Sequence, residues 1–340
     1  IHRFGTSDTK ALFEGLGVAL KTERGNRVFP VSDRADDVAD ALAELVRKNG
    51  VRVIREKAKR ILTDETGAVR AVQTERGEID CANAVIATGG LSYPGTGSTG
   101  DGYRMAKELG HTVNTCRPSL VPLESPDKWC REMQGFSLRN VELSAYEDDK
   151  LIYKALGEML FTHFGVSGPL VLSASAHMRR LGRSKYRLSI DLKPGLDDKK
   201  LDARLLRDFE KYSNREFRNS LGDLAGRAMI PVLVELSGIP GETRTNSVTR
   251  QQRAALAALL KAFPVSISGP RPIAEAIITS GGVATNEVNP RTMGSKLVPG
   301  LYFAGEVLDL DAYTGGYNLQ IAWSTAFVAA NSLQQGCEDG

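Results

Sequence analysis

Along the first third of the chain the apolar positions switch between two periods. Leu12, Phe13 and Leu16 share one helical face, Asp8 stands where an N-cap is expected, and Gly17 ends the run. Val38, Leu42, Leu45 and Val46 recur at i, i+4, i+7 and i+8 between Ser32-Asp33 and Gly50, which predicts a second, amphipathic helix. VRVI (51–54) then reads as a short buried strand. From 58 to 87 the pattern becomes strands broken at Thr66-Gly67 and Arg76-Gly77, closing with the apolar AVIA (84–87). This order belongs to an α/β domain rather than a helical bundle.

After SLVPL (119–123) the texture changes. VELSAY (141–146) and YRLSIDL (186–192) alternate as strands of a small antiparallel unit, and 197–262 is helical, most clearly at AALAALLKAF (254–263). AIITSGG (276–282) and GLYFAG (300–305) return to short strands with glycine endings. The pattern predicts an α/β domain in two pieces, 1–118 and 273–335, interrupted by an insert at 119–272.

Composition narrows the class. With 41% hydrophobic and 25% charged residues in 340, the chain is ordinary for a globular protein, which excludes disorder and collagen-like repeats. IPVLV (230–234) is far shorter than the ~20 apolar residues of a membrane span, and no apolar run opens the chain. No membrane contact is expected, and the protein reads as cytoplasmic. Cys81, Cys116, Cys130 and Cys337 form no C-x-x-C pair, and no histidine sits in H-E-x-x-H spacing, so no metal site is expected. The chain opens on Ile1 rather than Met and reads as clipped at its start.

Three glycine-rich segments bear on chemistry. Gly95, Gly97 and Gly100 spell G-x-G-x-x-G, but Pro94 separates them from the strand ending at Ala87, and a loop feeding a helix capped by Asp101 is the competing reading. Ala87, Thr88, Gly89 and Gly90 directly follow an apolar strand, where ligands of open α/β sheets bind. The bland alternative there is a tight strand exit. In FAGEVLDLDAYTGGYNLQIAW (303–323) a strand ends at Ala304-Gly305, Glu306 offers a carboxylate for ribityl hydroxyls, and Thr314, Gly315 and Gly316 open a helix. The free N–H groups and partial positive charge of a helix start suit the N1/O2 edge of a reduced isoalloxazine. Taken together, the second and third segments favour a flavin site.

Five blocks carry a resemblance: NRVFPVSD (26–33), ATGGLSYPGTGSTGDGY (87–103), RPSLVPL (117–123), LFTHFGVSGP (160–169) and the run from Ser280 to Trp323. In this order the chain resembles the bacterial FAD-dependent oxidoreductases of the aminoacetone-oxidase-like and 3-dehydro-bile-acid-reductase-like family. The resemblance implies a two-dinucleotide-binding-type FAD/NAD(P) domain with an inserted β-barrel-plus-helices domain. It also implies an upstream strand–G-x-G-x-x-G–helix unit that 1–340 does not contain, so the dinucleotide domain reads as N-terminally incomplete and its hold on FAD as weak. Ala58, Gly305, Glu306, Gly315, Gly316, Asn318 and Leu319 are the expected cofactor contacts, with Ala87–Gly90.

Hydride transfer to or from flavin N5, acting on a small-molecule substrate, is the expected activity. His163 is the candidate general acid or base, its competing role being to pack beside the turn formed by Gly165, Ser167, Gly168 and Pro169. Tyr317 and Tyr93 are alternative donors facing the ring. NAD(P)H is a possible reductant, but no motif for it is evident, which favours an oxidase using dioxygen. Residues 179–218 carry 13 Lys and Arg against 7 Asp and Glu, so a basic-patch RNA-binding protein is an alternative function. The interleaved acids favour a solvated helix face, and nucleic acid is not the expected partner. An inactive binding protein on a flavoprotein scaffold is the third class.

Overall fold

A computed structural model describes residues 3–23 and 25–338, with side chains described to 333. The chain divides into two units, one formed by Ile1–Ser119 with Ile273–Gly340 and the other by Leu120–Pro272.

In the first unit, α1 (Thr6–Gly15) begins one turn earlier than its apolar face requires. Gly5 is the N-cap, and Asp8 sits at N3, its carboxylate accepting the Gly5 N–H at 2.7 Å. Asp8 therefore closes the first turn from inside the helix instead of capping it. The hairpin of β1 (Leu20–Glu23) and β2 (Arg27–Pro30) leads to α2 (Ala35–Lys48), the helix that the stripe Val38-Leu42-Leu45-Val46 predicts.

The expected strand at VRVI is not formed. Residues 51–54 pair with no other segment among the described residues, and Val51 and Val53 are 57% and 70% exposed. An apolar run makes a strand only when another strand satisfies its N–H and C=O groups. The meander follows as β3 (Ala58–Thr63), β4 (Val69–Thr74) and β5 (Glu78–Asp80), all antiparallel. Then come β6 (Ala84–Ile86), α3 (Asp101–Glu108) and β7 (Val113–Ser119). The cap of α3 is Gly100, at φ +83°, and not Asp101, which is the first helical residue and ion-pairs with Lys57 at 3.2 Å. A left-handed cap position excludes most side chains, which explains why glycine holds it.

The second unit contains β8 (Leu123–Glu124), α4 (Lys128–Glu132), β9 (Ser137–Glu147), β10 (Lys150–Phe161), β11 (Gly165–Ser167), α5 (Pro169–Ser175) and β12 (Tyr186–Asp191). Helices α6 (Asp198–Lys211), α7 (Ile230–Ser237) and α8 (Arg250–Lys261) precede β13 (Phe263–Ile267) and β14 (Gly269–Pro270). The seven strands form one sheet in the order β13-β12-β9-β10-β11-β8-β14, and every pairing in it is antiparallel. Its two edges, β13 and β14, are consecutive in the chain, separated by Ser268 alone. Phe161, Phe217, Phe263, Leu188 and Ile190 fill the core between sheet and helices. Helix α8 starts at a capping box in which Thr249 and Gln252 exchange hydrogen bonds of 3.2 and 2.9 Å.

The chain then returns to the first unit with β15 (Ile278–Val283), β16 (Leu301–Phe303) and α9 (Tyr317–Glu338). β15 pairs with β7 antiparallel, and β16 pairs with β6 parallel. Phe4 stacks on Phe327 and Phe13 packs edge-on to Trp323, fastening the N-terminal segment to α9. Among the described residues no helix is long and apolar enough to cross a membrane.

A buried polar chain braces this unit. His111 Nδ1 lies 3.2 Å from Glu287 Oε2, and its Nε2 lies 2.8 Å from Ser295 Oγ. Ser295 Oγ already accepts the N–H groups of Leu297 and Val298, so its own proton goes to Nε2 and the ring proton to Glu287. The order Ser-His-Glu looks like a nucleophile relay, yet the hydroxyl is committed as a double acceptor and the imidazole side chain is fully buried. The role is structural. Burial lowers the His111 pKa, partly opposed by Glu287. The unfolded chain therefore takes up this proton first as pH falls, and stability is lost below about pH 6.5. Replacing His111 with Leu is expected to cost about 1–3 kcal/mol in denaturant unfolding and to flatten the stability profile just below that pH. An unchanged profile would contradict the assignment.

Candidate functional site

The site is built where two parallel strands end together. Register pairs Leu301 with Ala84, Tyr302 with Val85 and Phe303 with Ile86, and the Ala304 N–H donates to the Ile86 carbonyl at 3.1 Å. The segments Ala87-Thr88-Gly89-Gly90 and Ala304-Gly305-Glu306 therefore leave the pair side by side. Carboxyl ends of parallel strands are where open α/β sheets bind ligands.

Thr279, fully buried on β15, ties the two exits together. Its hydroxyl accepts the N–H groups of Leu91 and Ser92 at 2.8 and 3.1 Å, while its own N–H donates to Glu306 Oε1 at 2.7 Å. Gly90 is packed against this knot, and a Cβ there would fall 2.4 Å from Thr279 Oγ1 and 2.6 Å from Glu306 Oε1. At Gly89, with φ +72°, a Cβ would meet Ser98 Oγ at 2.6 Å. These two glycines thus serve the close packing of the exit. Burial raises the Glu306 pKa, against the lowering effect of its hydrogen bonds from Thr279.

A third part comes from α9. The Gly305 N–H donates to Thr325 Oγ1 at 2.9 Å, so the β16 exit is fastened to the flank of this helix. Gly315 and Gly316, at φ +119° and +93°, turn the chain into the helix, and the position of a Cβ on Gly316 is open space. Asn318 clamps the loop before them, its Oδ1 accepting the Ala312 N–H at 2.8 Å and its Nδ2 donating to the Ala312 carbonyl at 2.9 Å. Asp311 accepts from Ser119 at 2.8 Å and Ser280 at 3.2 Å, pinning the same loop to β7 and β15. Tyr317 and Leu319 stand 60% and 62% exposed beside the open glycines.

These residues suit the isoalloxazine and ribityl parts of FAD. Gly316 leaves room for a flat ring at a helix start, whereas Thr88 Oγ1, buried without a hydrogen-bond partner, faces α3, where a Cβ on Gly102 would fall 2.1 Å from it. Glu306 would hold ribityl hydroxyls through the carboxylate that Thr279 orients. No place for a pyrophosphate is assigned among the described residues. The G-x-G-x-x-G segment forms a single 3₁₀ turn at Pro94–Thr96 and then reaches α3, without a strand before it.

Other candidates lie elsewhere. Ala58 opens β3, next to Lys57 at the foot of α3. His163 belongs to the second unit, exposed in the tight turn between β10 and β11, with its ring edge-on to Phe164 and its carbonyl accepting from Arg131 at 3.4 Å. In the basic stretch, Arg180 pairs with Glu147, Arg187 with Asp149, Lys200 with Asp197, Arg204 with Asp208, Lys211 with Asp223 and Arg218 with Glu216. Much of its charge is thereby neutralised inside the unit. Thr279, Thr325 and Asp311 were not singled out from sequence. AIITSGG marked the strand that holds Thr279, but its partners are 27 and 188 residues away.

With this geometry, the chain belongs to the HI0933-like protein Rossmann domain family, which it matches over residues 1–332. The fold is the Rossmann-type FAD-binding α/β fold, and the family is one of flavin-dependent oxidoreductases. A ribosomal RNA dihydrouridine synthase of Escherichia coli (strain K12) is 32% identical over 334 residues, covering 98% of this chain and 80% of that protein. A 3-dehydro-bile acid delta(4,6)-reductase of Clostridium scindens is 28% identical over 340 residues, covering 98% and 82%. A ribosomal RNA dihydrouridine synthase of Haemophilus influenzae is 29% identical over 342 residues, covering 98% and 81%.

Gly90 offers a direct check on the knot. Gly90→Ala is expected to displace Glu306, lower the thermal midpoint by an amount equal to about 1–3 kcal/mol, and weaken FAD binding in a flavin absorbance titration. A variant with wild-type stability and affinity would show that the close approach is not needed.

Proposed function

We propose that the protein is an FAD-dependent reductase that saturates a carbon–carbon double bond conjugated to a carbonyl, with a uracil base in RNA as the preferred substrate. The observation that carries the flavin part is the joining of the Gly89-Gly90 and Gly305-Glu306 exits through Thr279 at one end of the β6–β16 pair, with α9 fastened to the second exit through Thr325. The chemistry is supported by what the relatives' names have in common. Dihydrouridine is uridine with the double bond next to its C4 carbonyl saturated, and a delta(4,6)-reductase acts on double bonds that a 3-keto group conjugates. The bile-acid relative favours a second reading, in which the substrate is a small cyclic enone.

When bound, FAD supplies the hydride chemistry that no side chain of the chain supplies. The chain's own residues bind and orient. Glu306 would accept from ribityl hydroxyls, and the first N–H groups of α9 would offer a partial positive charge to the ring. In the substrate, hydride adds to the carbon β to the carbonyl and a proton to the α carbon. Tyr317, exposed at the start of α9, would hold that proton. The electrons come from NAD(P)H. Amine oxidation with dioxygen, the competing chemistry of the resembling family, is the outcome that the assay must separate.

The assay combines purified protein, FAD, NAD(P)H and a uridine-containing RNA, followed by nucleoside mass spectrometry. Uridine gaining two hydrogens is the expected product, and Tyr317→Phe is expected to slow its formation about a hundredfold without changing FAD affinity. A 4-en-3-one steroid in place of RNA tests the second reading. Dioxygen consumption with an amine, while neither double bond is reduced, would overturn the proposal.

A further inference from the structure

The second unit holds a concavity of about 710 Å³, lined among others by Arg139, Asn140, Glu142, Leu156, Lys193 and Leu196. That volume is within the ~300–1,000 Å³ of small-ligand sites. Its charge is unbalanced. Each carboxylate nearby is already matched: Glu142 by Lys154 at 2.7 Å, Asp191 by Lys261, and Asp208 by Arg204 at 2.8 Å. Arg139 and Lys193 make no side-chain ion pair or hydrogen bond among the described residues. Lys193 is half-buried as well, and burial, reinforced by Arg204 and partly opposed by Asp208, lowers its pKa. With Asp208 bonded to Arg204, the half-buried ammonium has no directly paired carboxylate, a position that an arriving anion would stabilise.

Backbone geometry aims both cations at the hollow. Arg139 and Asn140 occupy a β-bulge where β9 shifts register against β10, and Asn140 has φ +53°. Bulges of this kind re-aim side chains. Lys193 sits in a turn held from below, its N–H donating to Asp191 at 2.8 Å and its carbonyl accepting from Lys261 at 3.3 Å. Leu156, 62% exposed, supplies an apolar ledge at the rim.

We infer that this hollow is a nucleotide-binding subsite for an RNA strand, with Arg139 and Lys193 on a phosphodiester and the base or sugar against Leu156 and Leu196. The inference rests on the RNA reading above and locates the part of the protein that grips the strand outside the β6–β16 site.

The test is fluorescence anisotropy with a labelled single-stranded oligouridine, at several salt concentrations, on the full chain with FAD. Arg139→Gln combined with Lys193→Gln is expected to weaken binding at least about tenfold and to reduce the log–log salt slope by about 0.7, the contribution of one neutralised phosphate on a single strand. Lys199→Gln, an exposed charge outside the lining, is expected to stay within about twofold, and circular dichroism verifies that each variant folds. Uridine monophosphate should compete with the oligouridine on the wild type, while inorganic phosphate at equal concentration should compete far less. Wild type without saturable binding, the double variant within twofold of wild type, or equal losses in Lys199→Gln would each overturn the subsite. Equal competition by inorganic phosphate would overturn its nucleotide character. Dihydrouridine measured in parallel samples supplied with NAD(P)H separates the two proposals. Product formed with RNA binding unaffected by the double variant sinks the subsite alone, whereas pocket-dependent binding without product sinks the uracil-reductase reading alone.

Discussion

Thr279 takes the backbone N–H groups of Leu91 and Ser92 on its hydroxyl and gives its own N–H to Glu306. Through that one buried residue the two halves of the first unit, separated in sequence by the whole second unit, share a single strand-end surface. Glu306 sits partly buried because the knot holds it, and its raised pKa records the cost of that position. Folded pKa above unfolded means that ionisation works against the native state as pH rises past the ordinary carboxylate range. Such a carboxylate is retained where a ligand uses it, which is the balance expected of a cofactor site.

Much of this was legible in the residues. The stripes of α2 and α8 and the apolar runs of β6 and β16 declare themselves by period, because burial of one face imposes the spacing. The glycines at 89–90 and 315–316 are small for different reasons. Gly316 leaves open space, but Gly90 is small because Thr279 and Glu306 press on it. The failures share a cause. VRVI has the composition of a strand and, among the described residues, no partner to pair with, and His111 meets Glu287 and Ser295 across 176 and 184 residues. Composition reports what a segment can bury and is silent on which distant group satisfies it.

The two units divide the labour that the proposal requires. One gathers backbone N–H groups, a carboxylate and open glycines, which suits binding and tuning a flat redox cofactor. The other carries an antiparallel sheet with Arg139 on a bulge and Lys193 in the turn after β12, both beside one hollow, which suits gripping an anionic strand. Neither device depends on a strong local motif, since each is assembled from residues far apart in the chain.

Hydrogen–deuterium exchange of the protein with and without FAD tests the central claim most directly. The account predicts new protection of the amides around Gly89–Gly90, Gly305–Glu306 and Tyr317–Leu319, the two exits of the β6–β16 pair and the start of the helix whose Thr325 holds the second exit. Saturating FAD that protects other segments and leaves these three unchanged would place the flavin elsewhere and contradict the account.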